Sequence, residues 1–219
     1  MLADKFRLFV YEKNRVEAFS DGVLAIVITL LVLEIKVPRT GEMHTMREVF
    51  DALYAQRGEF AGWLISFLMV GLAWVQHHNL LHMTRKFDLA MLWINLLFLG
   101  SVCLIPFTSG LVGENPYNPA VMTIFGLELT VSTLLMCWLY RYVARHYLKP
   151  TYDPVKVRRN VKLSFVLAPL TYLIATFSAW IHIGIAYALF VLIPIVFIFP
   201  LDVEKTSDRA VPADYPDIE

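Results

Sequence analysis

Residues 16–37 form an apolar run as long as a membrane span, and the run carries the polar cluster Phe19-Ser20-Asp21 near its start. About 20 mostly apolar residues cross the hydrocarbon core as one helix, so the run predicts a transmembrane helix. An ionisable side chain is costly in hydrocarbon and is tolerated where it faces protein or water. We therefore expect Asp21 to face neighbouring helices or a pore.

The rest of the chain predicts an all-α, polytopic membrane protein with six transmembrane helices. Of its 219 residues, 58% are hydrophobic and 17% are charged, a more apolar balance than a soluble domain has. The predicted spans are residues 16–37, 60–81, 89–112, 121–142, 161–180 and 182–199. We expect one membrane domain over residues 1–200. Residues 201–219 have no apolar face and are expected to form a disordered cytoplasmic tail.

Lysine and arginine are distributed asymmetrically between the predicted loops. The connection between the fourth and fifth spans contains Arg141, Arg145, Lys149, Lys156, Arg158, Arg159 and Lys162. Acidic residues offset the few basic residues of the first outer loop. The positive-inside rule therefore places both termini in the cytoplasm. This rule also accounts for the basic loop, so no nucleic-acid partner is expected, whereas contact with anionic membrane lipid is.

We expect polar side chains on the first two predicted helices to lie at a similar depth near the cytoplasmic side. Asp21 is about a turn and a half inside the first helix. The antiparallel second helix brings His77 and His78 to that level, with Trp74 one turn from His78. A carboxylate and an imidazole on adjacent helices can satisfy each other, and Asn95 of the third helix offers another partner. We therefore expect a buried polar network.

Two roles remain open for Ser20, Asp21, His77 and Asn95. Interhelical polar residues commonly lock helices together, which is the more frequent role, and they also mark ion pathways. Arg15 lies six residues before Asp21, about 120° away around an ideal helix, so a direct pair between them is not expected. The sequence does not identify a partner for Arg15.

Specific residues in the first three helices resemble a known family. They are Arg15, Phe19-Ser20-Asp21, Ala25-Ile26, Thr29-Leu30-Leu31 and Leu33-Glu34-Ile35 in the first helix, Trp74 and His77-His78 in the second, and Trp93, Asn95 and Ile105-Pro106-Phe107-Thr108 in the third. This pattern is similar to that of the transmembrane protein 175 potassium channels, in their bacterial six-helix branch. From the fourth helix onward the resemblance rests on hydropathy and loop pattern.

The resemblance implies an atypical homotetrameric potassium channel in the cell membrane of a bacterium. Its four first helices would surround the pore, and bulky apolar residues, here Ile26, Leu30 and Leu33, would form the constriction. Their i, i+4, i+7 spacing places them on one helical stripe, although residues of this type also commonly face lipid. The sequence contains no TVGYG filter motif. Potassium would be the permeant ion, and no cofactor is expected.

Three further polar residues have two interpretations each. Thr29 either lines the pore or bonds back to its own helix. Glu34 either concentrates cations at the outer mouth or pairs with Lys36 or Arg39 at the surface. Glu128 is an intramembrane acid in the fourth helix that faces either an outer vestibule or a neighbouring subunit.

Two alternatives to a potassium channel follow from the same residues. Asp21, His77 and Glu128 fit a proton relay, as in a proton-coupled secondary transporter or a proton-permeable channel. A membrane enzyme is disfavoured, because the chain has no nucleophile elbow, phosphate loop or paired-acid motif. Only His78 and His82 have the i, i+4 spacing of metal ligands, and no metal site is predicted.

Overall fold

The computed structural model describes residues 10–37 and 44–197. Within those ranges the chain is almost entirely helical, with two short strands near one end. The elements in chain order are β1 (Val10–Tyr11), α1 (Lys13–Leu30), a 3₁₀ turn (Leu31–Glu34), α2 (Met46–Ala55), α3 (Arg57–Met83), β2 (Phe87–Asp88), α4 (Leu89–Val102), α5 (Ile105–Glu114), α6 (Pro119–His146), α7 (Pro154–Ser178) and α8 (Ile183–Phe197).

Five helical segments within the described residues are long and apolar enough to cross a membrane. They are Lys13–Glu34, Arg57–Met83, Leu89–Glu114, Pro119–His146 and Pro154–Ser178. Each overlaps one of the first five predicted spans, and the all-α membrane fold is confirmed. The sixth apolar helix, α8, has 15 described residues. The end of its predicted span, the tail over residues 201–219 and the basic residues Lys5 and Arg7 lie outside the described residues.

The third span is a broken helix. It consists of α4 and α5, which are separated at Cys103 and Leu104, and Pro106 stands in the first turn of α5. Proline has no N–H to donate to the preceding turn, so a helix ends or bends just before it. The hydropathy pattern shows one span here because the break lies between two apolar stretches.

The first outer loop contains a helix, α2, that was not among the spans predicted from the sequence. Thr45 and Glu48 form a capping box at the start of α2: the Thr45 hydroxyl accepts from the Glu48 N–H at 3.3 Å, and the Glu48 carboxylate accepts from the Thr45 N–H at 3.1 Å. The Glu48 carboxylate also accepts from the His44 N–H at 2.8 Å. These hydrogen bonds lower the pKa of Glu48. A threonine followed three residues later by glutamate is a helix start signal that the sequence carries.

The helices pack around α3, α4 and α5, against which α1 lies. β1 pairs antiparallel with β2, with Val10 opposite Asp88 and Tyr11 opposite Phe87. This pairing ties the start of α1 to the start of α4 at the predicted cytoplasmic end. α6 and α7 form an antiparallel hairpin, and α8 packs on α7 and α3. The first helix is thus held at its cytoplasmic start and packed along one side.

Candidate ion pathway along the first helix

The first helix has one buried face and one exposed face. Its buried residues are Val16, Ser20, Leu24 and Val27, spaced three or four apart, and Leu31 continues the face into the 3₁₀ turn. Residues at this spacing lie on one side of a helix. The chain positions one polar side chain, Ser20, within an otherwise apolar contact surface.

Ser20, Asn95 and His77 form a continuous chain of hydrogen bonds, and all three are fully buried. The Asn95 amide nitrogen donates to Ser20 Oγ at 2.9 Å, and Ser20 Oγ donates to the Val16 carbonyl at 2.8 Å. Asn95 Oδ1 and His77 Nε2 are 2.7 Å apart. Since the amide oxygen only accepts, His77 Nε2 is the donor. We call Ser20, Asn95 and His77 the buried triad; it joins α1, α4 and α3.

The environment of His77 fixes its tautomer. The ring stacks on Phe98, with centroids 5.6 Å apart and planes 8° from parallel. Nε2–H donates to Asn95, and the buried Nδ1 atom has no hydrogen-bond partner among the described residues. A proton at Nδ1 would leave a buried donor unsatisfied, which costs free energy. The arrangement therefore suits a neutral imidazole that donates one hydrogen bond and holds the helices together.

Asp21 does not join the buried triad, and of the two partners considered for His77 the structure shows Asn95. Asp21 points away from Ser20 around the helix, and its Oδ1 accepts a hydrogen bond from Trp74 Nε1 at 3.0 Å. Asp21 is half-buried and Trp74 is exposed. Ser20 and Asp21 lie at almost the same depth as His77, but their side chains point about 100° apart around α1 and so reach different neighbours.

The remaining members of the predicted network lie outside the triad. His78 is exposed and stacks on Trp74, with ring centroids 5.8 Å apart. Phe19 is exposed. The Arg15 side chain is also exposed and forms no ion pair or hydrogen bond within the part of the chain that the structure describes.

The exposed face of the first helix carries the three predicted constriction residues. Ile26 is 60% exposed, Leu30 42% and Leu33 71%, and Phe19 lies on the same side about two turns before Ile26. Thr29 is exposed too, and its hydroxyl donates to the Ile26 carbonyl at 2.7 Å, which leaves the oxygen free to accept. An apolar stripe of this kind, opposite the packed face, is available to lipid or to further copies of the chain.

The outer end of the first helix lies among acidic side chains. Lys36 forms an ion pair with Glu114, and its backbone N–H donates to Glu59 at 2.9 Å. The hydrogen bond and the charge of Glu114 raise the pKa of Lys36. Lys36, one of the two surface partners considered for Glu34, therefore pairs with Glu114 instead. The other, Arg39, lies outside the described residues. A Cβ on Gly110 would meet the Glu34 carboxylate, so that side chain lies directly over α5.

Asp88 is a buried carboxylate for which the sequence predicted no role. Asp88 is fully buried and accepts three hydrogen bonds: from the Met91 N–H at 2.7 Å, the Tyr142 hydroxyl at 2.6 Å and the Tyr147 hydroxyl at 2.9 Å. It caps α4 and joins it to the end of α6. An aspartate directly before an apolar helical run is a recognised cap signal, so its position in the sequence could have revealed the first of these bonds.

Glu128 is a partly buried acid on α6, the fourth span. Its Oε1 accepts from the Ser132 hydroxyl at 2.8 Å, and Ser132 lies 2.8 Å from the Ser101 hydroxyl. Glu128 Oε2 is buried without a hydrogen-bond partner among the described residues. The carboxyl therefore faces α4 within the protomer rather than α1, and Glu128 is not part of the buried triad.

The described residues contain no group of three histidine, cysteine or acidic side chains that can hold a metal ion. His78 and His82, the one pair with ligand spacing, have ring centroids 6.4 Å apart. His82 Nδ1 lies 3.1 Å from the Tyr152 hydroxyl instead. The polar groups of this region are therefore committed to helix contacts.

Comparison with known proteins agrees with this geometry. The family model described as the endosomal/lysosomal potassium channel TMEM175 matches residues 15–106, which contain the buried triad and the exposed stripe. A potassium channel of Streptomyces collinus is 30% identical over 208 residues, which cover 92% of this chain and 99% of that protein.

A solved structure and a human protein extend the comparison. The crystal structure of a lysosomal potassium-selective channel TMEM175 homolog from Chamaesiphon minutus is similar with a TM-score of 0.70 and 27% identity, covering 84% of this chain and 95% of that one. The human endosomal/lysosomal proton channel TMEM175 is 42% identical over 99 residues, which are 43% of this chain and 20% of the human protein.

Proposed function

The chain belongs to the TMEM175 channel family, and from that membership we propose that it conducts potassium ions passively through a pore lined by α1. The observation that carries this proposal is the two-faced first helix: one side is fixed by the buried triad, and the other presents Ile26, Leu30 and Leu33 outward. Relatives of nearly the same length carry the name potassium channel.

The pore is assembled from four copies of the chain in this proposal. A single protomer encloses no passage along α1, because the constriction residues lie on its outside. A homotetramer brings four such stripes to a common axis and removes them from solvent and lipid. The six-helix region forms one domain around that axis, in the plasma membrane of a bacterium, with lipid on its outer surface.

Ile26, Leu30 and Leu33 form the narrow neck of this pore. A narrow ring of alkyl side chains loses its water, and an ion cannot shed its hydration shell there at low cost. The closed state is therefore a dewetted neck, and opening requires the α1 helices to move apart or rotate. Thr29 and Glu34 contribute oxygens near the neck and at the outer mouth. The conduction needs neither a cofactor nor a catalytic residue.

The buried triad acts on conduction indirectly. It fixes the rotation of α1 against α3 and α4, and so fixes which residues reach the pore axis. This role needs neutral side chains that bond to one another within the protomer, as Asn95 does to Ser20 and His77. Direct ion contact by the triad is disfavoured, because all three residues are fully buried.

Current across a planar bilayer tests the proposal. The purified chain is reconstituted with potassium on one side and sodium on the other. Reversal of the current near the potassium equilibrium potential is the expected result. Absence of current combined with substrate-coupled, saturable uptake into liposomes would reject the channel in favour of a secondary transporter.

Proton permeation is the second candidate function. Vertebrate relatives that match 43–48% of this chain at 39–42% identity are named proton channels. A pH gradient imposed across the same bilayer, with potassium equal on both sides, separates the two activities. A reversal potential that follows the pH gradient would assign proton conduction to this chain.

A further inference from the structure

A basic cavity lies between α6 and α7, away from the first helix. It has a volume of about 310 Å³ and is lined by Arg141, Ala144, Arg145, Arg158, Val161 and Lys162. The lining residues belong to the last turns of α6 and the first turns of α7, so the cavity opens at the predicted cytoplasmic end. None of the interactions described for α1 involves these side chains.

The four cations converge because of their spacing. Arg141 and Arg145 are four residues apart on α6, and Arg158 and Lys162 are four residues apart on α7, so each pair projects from one face of its helix. The two helices are antiparallel neighbours. No acidic side chain lines the cavity, and none of the four cations forms an ion pair with another described residue. Mutual repulsion makes such a cluster costly unless an anion occupies it.

Two of the cations are held in place by contacts of their own. The Arg158 Nε–H donates to the Ala144 carbonyl at 3.4 Å, and the Arg141 guanidinium lies 6.0 Å from the centre of the Phe165 ring. Ala144 and Val161 are buried and supply an apolar floor. The site therefore combines positioned cations with apolar surface, at the predicted cytoplasmic ends of the fourth and fifth spans.

The positive-inside rule accounts for the number of basic residues at this end but not for their convergence. Arg159 and Lys86 satisfy the same rule, and both are exposed outside the cavity. A cavity lined by four cations and no acid is a specific arrangement. Its chemistry matches a phosphate ester, which accepts several charge-assisted hydrogen bonds from arginine.

We propose that this cavity binds the phosphate of an anionic phospholipid from the cytoplasmic leaflet. Basic pockets between transmembrane helices on this side of a membrane bind such headgroups. The apolar floor favours a lipid over a soluble phosphate ester, because acyl chains can cover Val161 and the neighbouring Phe165. The bound lipid offsets part of the positive charge of this cluster and joins α6 to α7.

The test is a thermal-shift titration of the full-length protein in detergent. The three probes are short-chain phosphatidylglycerol, short-chain phosphatidylcholine and glycerol phosphate, which represent the anionic lipid, a zwitterionic lipid and the soluble headgroup. A ligand that binds the folded state raises the melting temperature with concentration, and the dependence gives an apparent Kd. Phosphatidylglycerol is expected to bind most tightly of the three.

Two double variants remove the same number of charges from the same end of the protein. Arg145→Gln/Arg158→Gln alters the cavity, and Lys86→Gln/Arg159→Gln is the matched control. The cavity variant is expected to weaken phosphatidylglycerol binding roughly 30-fold, since each surface cation contributes about 1 kcal/mol to anionic-lipid attraction. The control should change binding little. If the cavity variant does not fold, Lys162→Gln alone carries the comparison.

Three results would overturn the proposal. Equal weakening by both double variants would mean general attraction to a positive surface. Equal binding of phosphatidylglycerol and phosphatidylcholine would remove the requirement for an anion. Glycerol phosphate binding as tightly as the lipid would assign the cavity to a soluble phosphate ester.

Discussion

The two faces of the first helix are specified in opposite ways. On the buried face, Ser20 is joined to Asn95 and His77 by directional hydrogen bonds with every distance below 3 Å. On the exposed face, Ile26, Leu30 and Leu33 have no polar partner and large accessible areas. The buried face sets the rotation of the helix within the protomer, and the exposed face is left for contacts that a single protomer cannot make.

This difference separates two kinds of mutation. A change on the buried face alters the protomer itself and so affects folding, assembly and conduction together. A change on the exposed face should leave the protomer intact and, in the proposed tetramer, act on the pore. Measuring stability and current for the same variants therefore shows whether the two faces have the roles assigned to them.

Asn95→Ala should have the largest effect. It removes both hydrogen bonds of the amide and leaves Ser20 and His77 buried without that partner. The expected loss is about 2 kcal/mol of stability, within the range for unsatisfied buried groups. The melting temperature in detergent and the tetramer fraction in size-exclusion chromatography should both fall, and current should fall with them.

Asn115→Ala is the matched control for that variant. Asn115 is exposed at the outer end of the same span, and its side chain bonds only to the Leu111 carbonyl among the described residues. The Asn115→Ala variant should melt close to the wild-type temperature. Equal melting temperatures for the Asn95 and Asn115 variants would show that the buried triad does not stabilise the protomer.

Ile26→Ala should change conduction without changing stability. Shortening a side chain at the neck widens it and admits water, so leak should rise and the preference for potassium over sodium should relax. The bilayer reversal potential measures the preference. Ile124→Ala, at a 50% exposed site on α6, is the matched control and should keep wild-type currents. Unchanged selectivity in Ile26→Ala and Leu30→Ala alike would place the neck elsewhere.

Trp74→Phe should have a smaller effect, because it removes one hydrogen bond from a partly exposed pair. Phenylalanine keeps an aromatic ring at this position, but Asp21 loses the Trp74 Nε1 donor at 3.0 Å. A hydrogen bond of this kind contributes about 1 kcal/mol.

Asp21→Asn keeps an acceptor oxygen and should be milder than Asp21→Ala when tetramer fractions are compared. Asp21→Asn behaving as badly as Asp21→Ala would mean that the charge, rather than the Trp74 bond, is what matters.

The sequence predicted the first five spans, because hydropathy depends on composition over about 20 residues. It also indicated that the polar cluster of the first helix and His77 lie at a similar depth, since depth follows from position along a helix. It did not predict that Asn95, rather than Asp21, would bond to His77. That choice depends on the rotation of each helix, which is set by packing across the whole core.

The sequence also carries local signals for the Thr45 capping box of α2 and the Asp88 cap of α4, and neither was predicted. The hydrogen bonds of Asp88 with Tyr142 and Tyr147 could not be predicted from local sequence, because they join residues more than 50 positions apart. The prediction of Ile26, Leu30 and Leu33 as the constriction rests on the family resemblance alone. Almost every neighbour is equally apolar, so no contrast along the sequence marks the exposed side.

The smallest expected effect concerns the outer end of the first helix, where Lys36 pairs with Glu114 on the surface. This pair raises the pKa of Lys36 above its ordinary value of 10.5. The folded state thus holds the Lys36 proton more tightly than the unfolded state does, so the stabilisation is complete below pH 10.5 and is lost as the pH rises through the raised pKa. The melting-temperature gap between wild type and Lys36→Gln should be constant at neutral pH and close at strongly alkaline pH. Other lysines titrate in both proteins and cancel in the difference. Glu114→Gln should reproduce the closing gap, and a gap that persists at strongly alkaline pH would show that Lys36 does not hold the helix end through its charge.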